Sequence, residues 1–534
     1  MGDAQQSRQD WRWWVGLTLA ALVMGLIRIG DVPLRDSDEA QVSLVAREMV
    51  CNGNWLFPTR YGEPYLNKPL LIHWLTAWTY TWAGFTDWAT RLWPAGLSSF
   101  AVPLLYGLGR LLFQQQRPAA LAALVLLTLL PTARHGRVAM LDGTVNTFYL
   151  LAYVALLAGN WRPPLAAGFG LALGLVALTK GLLALPLAAI GLGFLLWDRP
   201  AGLRNPYLWL GLVLGATPIT LWYLAQGWHY GAAFMETHLV RQSLARVWDV
   251  VGGNTGPPWF YLVELLKFAW PWLIFWPAGL VLAWQARPQS WAKLVLVGTV
   301  GFLGLISLMV TKFPWYIMPL YPFLALAVGA KLADLEKSDE RYPWAWTLLI
   351  GLLAVGCLGG TIYFAITDPG SGVAVATAIL ALTLGLTVGY LRRSDPRFIP
   401  VLMAGLYLGL VAFMASSEWN WELNEDYAVK PVAALVRAQV PPGQPIYISR
   451  KNSRRSLNFY SGRLVETERD PQRLEALWAE RQPYLLLNAQ TLAQVTLPEA
   501  RILGEAEGYT LVAPVTPRPI SPGAAGRPCP LPPL

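Results

Sequence analysis

Long apolar runs separated by short polar turns dominate the chain from residue 13 to about residue 414. The first, Trp13 to Ile29, is close to the ~20 residues that cross ~30 Å of hydrocarbon. Comparable runs recur as far as Met414, and their number predicts about thirteen transmembrane helices, give or take about two. The first run lacks a small-residue cleavage site and leads into an acidic loop, so it reads as a retained helix with a cytoplasmic N-terminus. Alternating from that start puts Arg110/Arg117, Arg162, Arg199/Arg204, Arg287/Lys293, Lys331/Lys337/Arg341 and Arg392/Arg393/Arg397 in short cytoplasmic loops, a positive-inside pattern. The opposite side then receives residues 31–90, the turn Thr132 to Gly143, the Lys180 turn, loop 226–258, the turn Thr311 to Pro314 and everything after about Ser417.

Within the first external loop, Asp38 to Val50 has helical periodicity, with Val42, Val45, Ala46 and Met49 on one side. Leu70 to Phe85 is apolar and rich in Trp and Tyr, which favour the headgroup level, so it is expected to be an interfacial helix rather than a span. From Ser417 charged residues return. Ile446-Tyr447-Ile448, Tyr484 to Leu487 and Tyr509 to Val512 read as strands, with Arg473 to Arg481 as a helix between them. The expected organisation is a transmembrane domain over 1–416 with external loops 31–90 and 226–258, a small soluble extracytoplasmic α/β domain over 417–515, and a disordered Pro-rich tail over 516–534.

Composition agrees. Of 534 residues, 55% are hydrophobic and 14% charged, 27 are Trp, and mean hydropathy is +0.39, which together indicate a polytopic α-helical membrane protein. The net charge of +9 follows from loop topology and anionic headgroups, and no basic stripe with interleaved aromatics points to nucleic acid. The three cysteines, Cys51, Cys357 and Cys529, have the spacing of neither a zinc site nor a disulfide framework, although Cys51 and Cys529 could pair on an oxidising face.

Ionisable groups held against a bilayer are costly unless they serve a purpose, and here they gather on the external side. The first loop carries Asp36-Ser37-Asp38-Glu39 and Asn67-Lys68-Pro69-Leu70. Asp36 and Asp38 have a spacing that can ligate a divalent ion through oxygen, or else cap a helix whose first turn welcomes acids. Later turns carry Arg134-His135-x-Arg137 with Asp142, then Thr179-Lys180-Gly181, then Glu236-Thr237-His238 with Arg241 and Arg246, then Lys312-Phe313-Pro314-Trp315-Tyr316. Lys180 separates two apolar runs too closely spaced for an ordinary loop, so its ammonium is expected to meet a phosphate or a carboxylate. For His135 a hydrogen-bonded structural role is the expectation.

The order and spacing of these motifs resemble the family that contains the aminoarabinose transferase of lipid A and the protein O-mannosyltransferases, over about residues 30–325 and loosely in the last domain. The resemblance implies a GT-C membrane fold and a glycosyltransferase that uses a polyprenyl-phosphate sugar. It implies that Asp38, Glu39 and Asp142 are catalytic, with Asp38 of the Asp38-Glu39 pair as the base and Asp142 orienting an acceptor or pairing with Arg137. Lys68 holds the place of the family's Lys-Pro-Pro-Leu lysine, although Leu70 replaces the second proline and Asn67 the usual acidic residue. Lys68, Lys180, Arg241, Arg246, Lys312 and Tyr316 are then candidates to meet the donor phosphate, with Arg137 and His238 as accessory residues. No cofactor is certain, and a divalent metal at Asp36 and Asp38 stays open.

Such a donor brings its own leaving group, so departure needs cations near the phosphate and no general acid. A hydroxyl acceptor benefits from a carboxylate base, and inversion is expected. The partners implied are a polyprenyl-phosphate-linked sugar, a lipid, glycan or protein acceptor and membrane lipids, with the active site of a multi-pass cytoplasmic-membrane protein facing the periplasm or exterior. The alternative, a transporter or scramblase of lipid-linked sugars, more often has matched halves with broken helices, and no matched halves are visible.

Overall fold

The computed structural model describes residues 2–36, 38–338, 341–420, 427–515 and 531–533, without the side chains of residues 2–9. The expected disordered tail over 516–534 lies outside the described residues except at 531–533. The chain forms two compact units, one comprising Met1–Ile29, Leu66–Leu71 and Pro94–Trp419, the other Gly30–Tyr65, Ile72–Trp93 and Asn420–Leu534. The first external loop therefore folds with the C-terminal segment, except for the Leu66–Leu71 strip that carries Lys68.

The first unit is helical. Among the described residues seven helical stretches of the chain are long and apolar enough to cross a membrane, or eight if the bent pair Gln116–Leu127 and Leu130–Arg137 counts as one span. Asp142–Ala158 and Phe398–Met414 are apolar but shorter. The expected number of about thirteen is not reached by this measure, because several apolar runs are broken: Pro163–Asp198, one continuous apolar stretch, contains a turn at Gly181–Leu183 between two helices. Helices Ala167–Lys180 and Pro206–Tyr230 pack closely through Gly170 and Gly174 against Gly211 and Gly215. A Cβ on Gly215 would lie 2.0 Å from the Gly170 carbonyl oxygen, and one on Gly174 would lie 2.2 Å from that of Gly215. Small residues four apart let helix backbones touch where lipid offers no hydrophobic drive for association.

Arg137, predicted as an accessory site residue, is fully buried in this unit. It donates to the carbonyls of Met414 at 2.7 Å and Ile27 at 2.5 Å and lies over the Trp419 ring, 4.3 Å from its centroid. His135 bonds the Pro131 carbonyl at 3.2 Å, the structural role expected of it.

The second unit contains a hairpin and a sheet. Strands β1 (Thr59–Arg60) and β2 (Glu63–Pro64) join through Tyr61 and Gly62, both at positive φ, as a two-residue hairpin loop requires. Glu48 secures the loop by accepting from Thr59 Oγ1 and the Tyr61 amide, each at 2.5 Å. The sheet comprises β3 (Ile446–Ile448), β4 (Val465–Thr467), β5 (Tyr484–Asn488), β6 (Ala500–Ala506) and β7 (Tyr509–Pro514), in the order β4-β3-β5-β7-β6. β3 runs parallel to β4 and β5, and β7 antiparallel to β5 and β6. Tyr447, Leu485, Leu487 and Val512 pack with Leu474 and Trp478 of the Pro471–Arg481 helix in one hydrophobic cluster.

Helix Asp38–Asn52 buries Val42, Val45, Ala46 and Met49, the face its periodicity predicts. Its second residue, Glu39, is wholly buried and meets Arg91, also wholly buried, through Nε–Oε1 and Nη2–Oε2 bonds of 2.8 Å. Glu39 Oε2 also accepts from the Arg35 amide at 2.8 Å. Both of its oxygens are committed, so the geometry gives Glu39 a structural role in place of the predicted catalytic one. Asp36 accepts from Arg454 Nε at 2.6 Å and from the Ser456 amide at 2.9 Å, which engages both oxygens that a metal would need. Among the described residues no group of three or more His, Cys, Asp or Glu side chains could hold a metal ion. Cys51 is in a disulfide and Cys357 is free, while Cys529 lies outside the described residues.

Two stability predictions follow from these contacts. Gly215→Ala should cost about 1–3 kcal/mol by forcing the two helices apart, whereas Gly385→Ala, with open space at its Cβ, should be neutral or stabilise by up to about 1 kcal/mol; thermal unfolding in detergent reads the opposite signs. Glu39→Gln strands the Arg91 guanidinium and should cost about 3–5 kcal/mol, and Glu39→Met with Arg91→Met should cost less than either single change. Additive losses in the double variant would refute the ion pair.

Candidate functional site

A cavity of about 280 Å³ opens in the first unit where six of its segments meet. Its polar lining includes Lys68, Asp142, Lys180, His238, Gln242 and Arg246, with Tyr316 beside them. Its remaining wall is hydrocarbon, from Leu183, Leu185, Phe302, Leu305, Ile306 and Met309. Of the predicted donor-phosphate residues, Lys68, Lys180, Arg246 and Tyr316 are brought together here, and Asp142 and His238 join them.

Local structure explains how each arrives. Asp142 begins helix Asp142–Ala158 and Lys180 ends helix Ala167–Lys180, so each charge complements the helix end that carries it. The two form an ion pair, Lys180 Nζ to Asp142 Oδ1. Gly181 follows at φ +57° and ψ −123°, a backbone region open to glycine, and this reverses the chain immediately after the lysine. A side chain at Gly181 would also meet the Tyr223 hydroxyl at 3.3 Å. Tyr316 connects the cations: its ring lies under the Lys180 ammonium, 5.0 Å from centroid to Nζ, and its hydroxyl accepts from Arg246 Nη1 at 2.5 Å. Arg246 is held further by Gln242 Oε1 at 2.5 Å, one helical turn away.

His238 anchors the strip that bears Lys68. It is 2% exposed, and its Nδ1 lies 3.1 Å from the Leu66 carbonyl oxygen. A carbonyl only accepts, so the proton sits on Nδ1 and Nε2 accepts from the Tyr223 hydroxyl at 2.9 Å. Burial, reinforced by the Lys68 charge and opposed by the Leu66 carbonyl, brings its pKa to about 4, which leaves the ring neutral at pH 7. Phe234 stacks on the imidazole at 5.1 Å and Trp222 meets it edge-on at 5.4 Å.

Two predicted phosphate ligands lie elsewhere. Arg241 is exposed and pairs with Glu236 at 3.1 Å, a surface contact of little energetic weight. Lys312 is 3% exposed, and its ammonium donates to the carbonyls of Ile306, Ser307 and Met309 at the end of helix Ser290–Leu308. It caps the helix, as a cation at a C-terminus does. Sequence reasoning missed Gln242 and Tyr223. The i, i+4 spacing of Gln242 and Arg246 was available as a signal, but Tyr223 sits inside an apolar run and offers none.

Asp38 opens its helix in the second unit, half-buried, within electrostatic range of the Tyr65 hydroxyl.

Comparison with known proteins gives this arrangement a context. Residues 67–223, which include Lys68, Asp142 and Lys180, match the family model described as dolichyl-phosphate-mannose-protein mannosyltransferase. The undecaprenyl phosphate-alpha-4-amino-4-deoxy-L-arabinose arabinosyl transferase of Aeromonas salmonicida is 30% identical over 362 residues, covering 64% of each chain. Arabinosyl transferase 1 of Pseudomonas fluorescens is 30% identical over 377 residues, covering 67% of each. The chain thus spans about two thirds of the length of these relatives. The crystal structure of ArnT from Cupriavidus metallidurans bound to undecaprenyl phosphate superposes with a TM-score of 0.75 at 20% identity, covering 94% of this chain and 98% of that one, which shows a shared fold. By sequence and by fold, the chain belongs to the polyprenyl-phosphate-sugar glycosyltransferases of the GT-C class, among the relatives of the aminoarabinose transferases.

Proposed function

We propose that the protein transfers a sugar from a polyprenyl-phosphate donor to a lipid, glycan or protein acceptor at the periplasmic face of the cytoplasmic membrane, with inversion at the anomeric carbon. The observation that carries this reading is the two-sided cavity of the first unit. Lys68, Lys180 and Arg246 gather with Asp142 beside a wall of leucine, isoleucine and phenylalanine. That combination suits a phosphodiester whose one substituent is a long hydrocarbon. The guanidinium fork of Arg246 matches phosphate oxygens, and the apolar wall accepts the first isoprene units.

In the proposed reaction the bond between the anomeric carbon and the phosphate oxygen breaks while the acceptor oxygen attacks from the opposite side. Polyprenyl phosphate leaves with the bonding electrons, and the cations that held the donor stabilise the charge it gains. A hydroxyl acceptor gives up its proton, and Asp38 is our choice to take it. A phosphate acceptor is already anionic and needs no base; Asp38 then orients acceptor or sugar. Asp142 keeps the Lys180 ammonium aimed into the cavity, while His238, neutral at pH 7, fixes the backbone two residues before Lys68. Both are positioning roles.

Transfer from radiolabelled undecaprenyl-phosphate sugars, assayed with purified protein in lipid and membrane extract as acceptor, tests this reading. Lys68→Ala and Arg246→Gln should each raise the donor KM at least tenfold, since a charge-assisted hydrogen bond contributes about 1.5–3 kcal/mol. Asp38→Asn should lower kcat about 10²- to 10⁴-fold with donor binding retained if the acceptor is a hydroxyl. Movement of intact donor between leaflets with no transfer would replace the enzyme with a transporter.

A further inference from the structure

The second unit has a cavity of its own, of about 360 Å³, lined by Arg47, Glu48, Tyr61, Asn458 and Arg463 among others. Two of these are half-buried arginines held only by weak neutral contacts. Arg47 reaches the Phe459 carbonyl at 3.4 Å and lies 5.8 Å from the Phe85 ring centroid. Arg463 donates to the carbonyls of Val440 at 3.2 Å and Gly462 at 3.3 Å. Arg437, close enough to act on both electrostatically, donates to the Pro532 carbonyl at 2.6 Å. Among the described residues none of the three forms an ion pair. Glu48, whose oxygens accept from Thr59, Tyr61 and Gly62, acts on Arg47 electrostatically without forming an ion pair with it. Burial lowers the pKa of Arg47 and of Arg463; the Glu48 charge opposes this at Arg47, and neighbouring arginines add to it at both.

A neutral donor is also left over. Asn458, 2% exposed, accepts from the Val465 amide through Oδ1 at 3.1 Å, while its Nδ2 has no hydrogen-bond partner. Burial raises the pKa of the neighbouring Tyr61 hydroxyl, and the Asn458 side chain acts against that rise. Half-buried like charges collected around one cavity, with an amide donor beside them, are costly unless an anion completes them.

We propose that this cavity is an oxyanion site that takes a phosphate monoester, gripped by the Arg47 and Arg463 guanidinium groups with the Asn458 amide as a further donor. The chemistry is shared by a phosphorylated sugar headgroup and by free phosphate. The site is built within the second unit alone, so failure of the transfer reaction would leave it standing.

Phosphorus-31 NMR line broadening on the full chain in detergent tests it, using inorganic phosphate and glucose 1-phosphate as probes. The background is Lys68→Ala with Arg246→Gln, which removes the other cationic cavity as a source of signal. Saturable broadening is expected, weakened at least tenfold by Arg463→Gln and only partly by Arg463→Lys, which keeps the charge and loses the fork. Unchanged melting temperature confirms folding, and Arg463, anchored by carbonyls alone, is the safer site to change than Arg47. Tighter binding of glucose 1-phosphate supports a sugar-phosphate headgroup, and equal binding supports free phosphate. Absence of broadening, or broadening insensitive to both Arg463→Gln and Arg47→Gln, would overturn the proposal.

Discussion

A charged side chain that leaves water must find an opposite charge or a full set of hydrogen bonds, and that requirement sorts the ionisable residues of this chain. Lys312 is satisfied by backbone carbonyls, and Arg137 meets two carbonyls and the Trp419 ring. Glu39 and Arg91 satisfy each other, as do Asp36 and Arg454. In the cavity of the first unit three cations, Lys68, Lys180 and Arg246, gather with Asp142 around one space. Apolar walls beside those cations are the basis on which we propose an amphiphilic anion as the ligand.

Rigidity follows from the same economy of contacts. Tyr316 and Gln242 fix Arg246, Asp142 fixes Lys180, and His238 with Tyr223 fixes the strip leading to Lys68. Asp142 is itself held at a helix end, and His238 by a stacked ring and a neighbouring hydroxyl. Cations arranged this way need not reorganise as charge develops on a departing phosphate, which is the condition under which electrostatic stabilisation is most effective.

Much of the fold was legible because periodicity and burial are local signals. The buried face of Asp38–Asn52 and strands β3, β5 and β7 follow from apolar pattern alone. Strand β4 has one apolar residue in three, and β6 is largely exposed at the sheet edge, so neither announces itself. The site was legible to a lesser degree. An ionisable residue at the end of an apolar run marks a place where charge is needed, but Lys180 and Lys312 look alike in sequence while one faces a cavity and the other caps a helix. Arg91 went unnoticed because its partner Glu39 lies 52 residues away, and no local spacing connects them.

The central claim is that one cavity holds both the phosphate and the first isoprene units of the donor. An electron cryomicroscopy map of the full chain in lipid nanodiscs with undecaprenyl phosphate tests it most directly. The account predicts phosphate density within hydrogen-bond reach of Lys68 and Arg246, with the chain running along Leu185 and Phe302. Phosphate density away from these residues, or an empty cavity at saturating lipid, would contradict it.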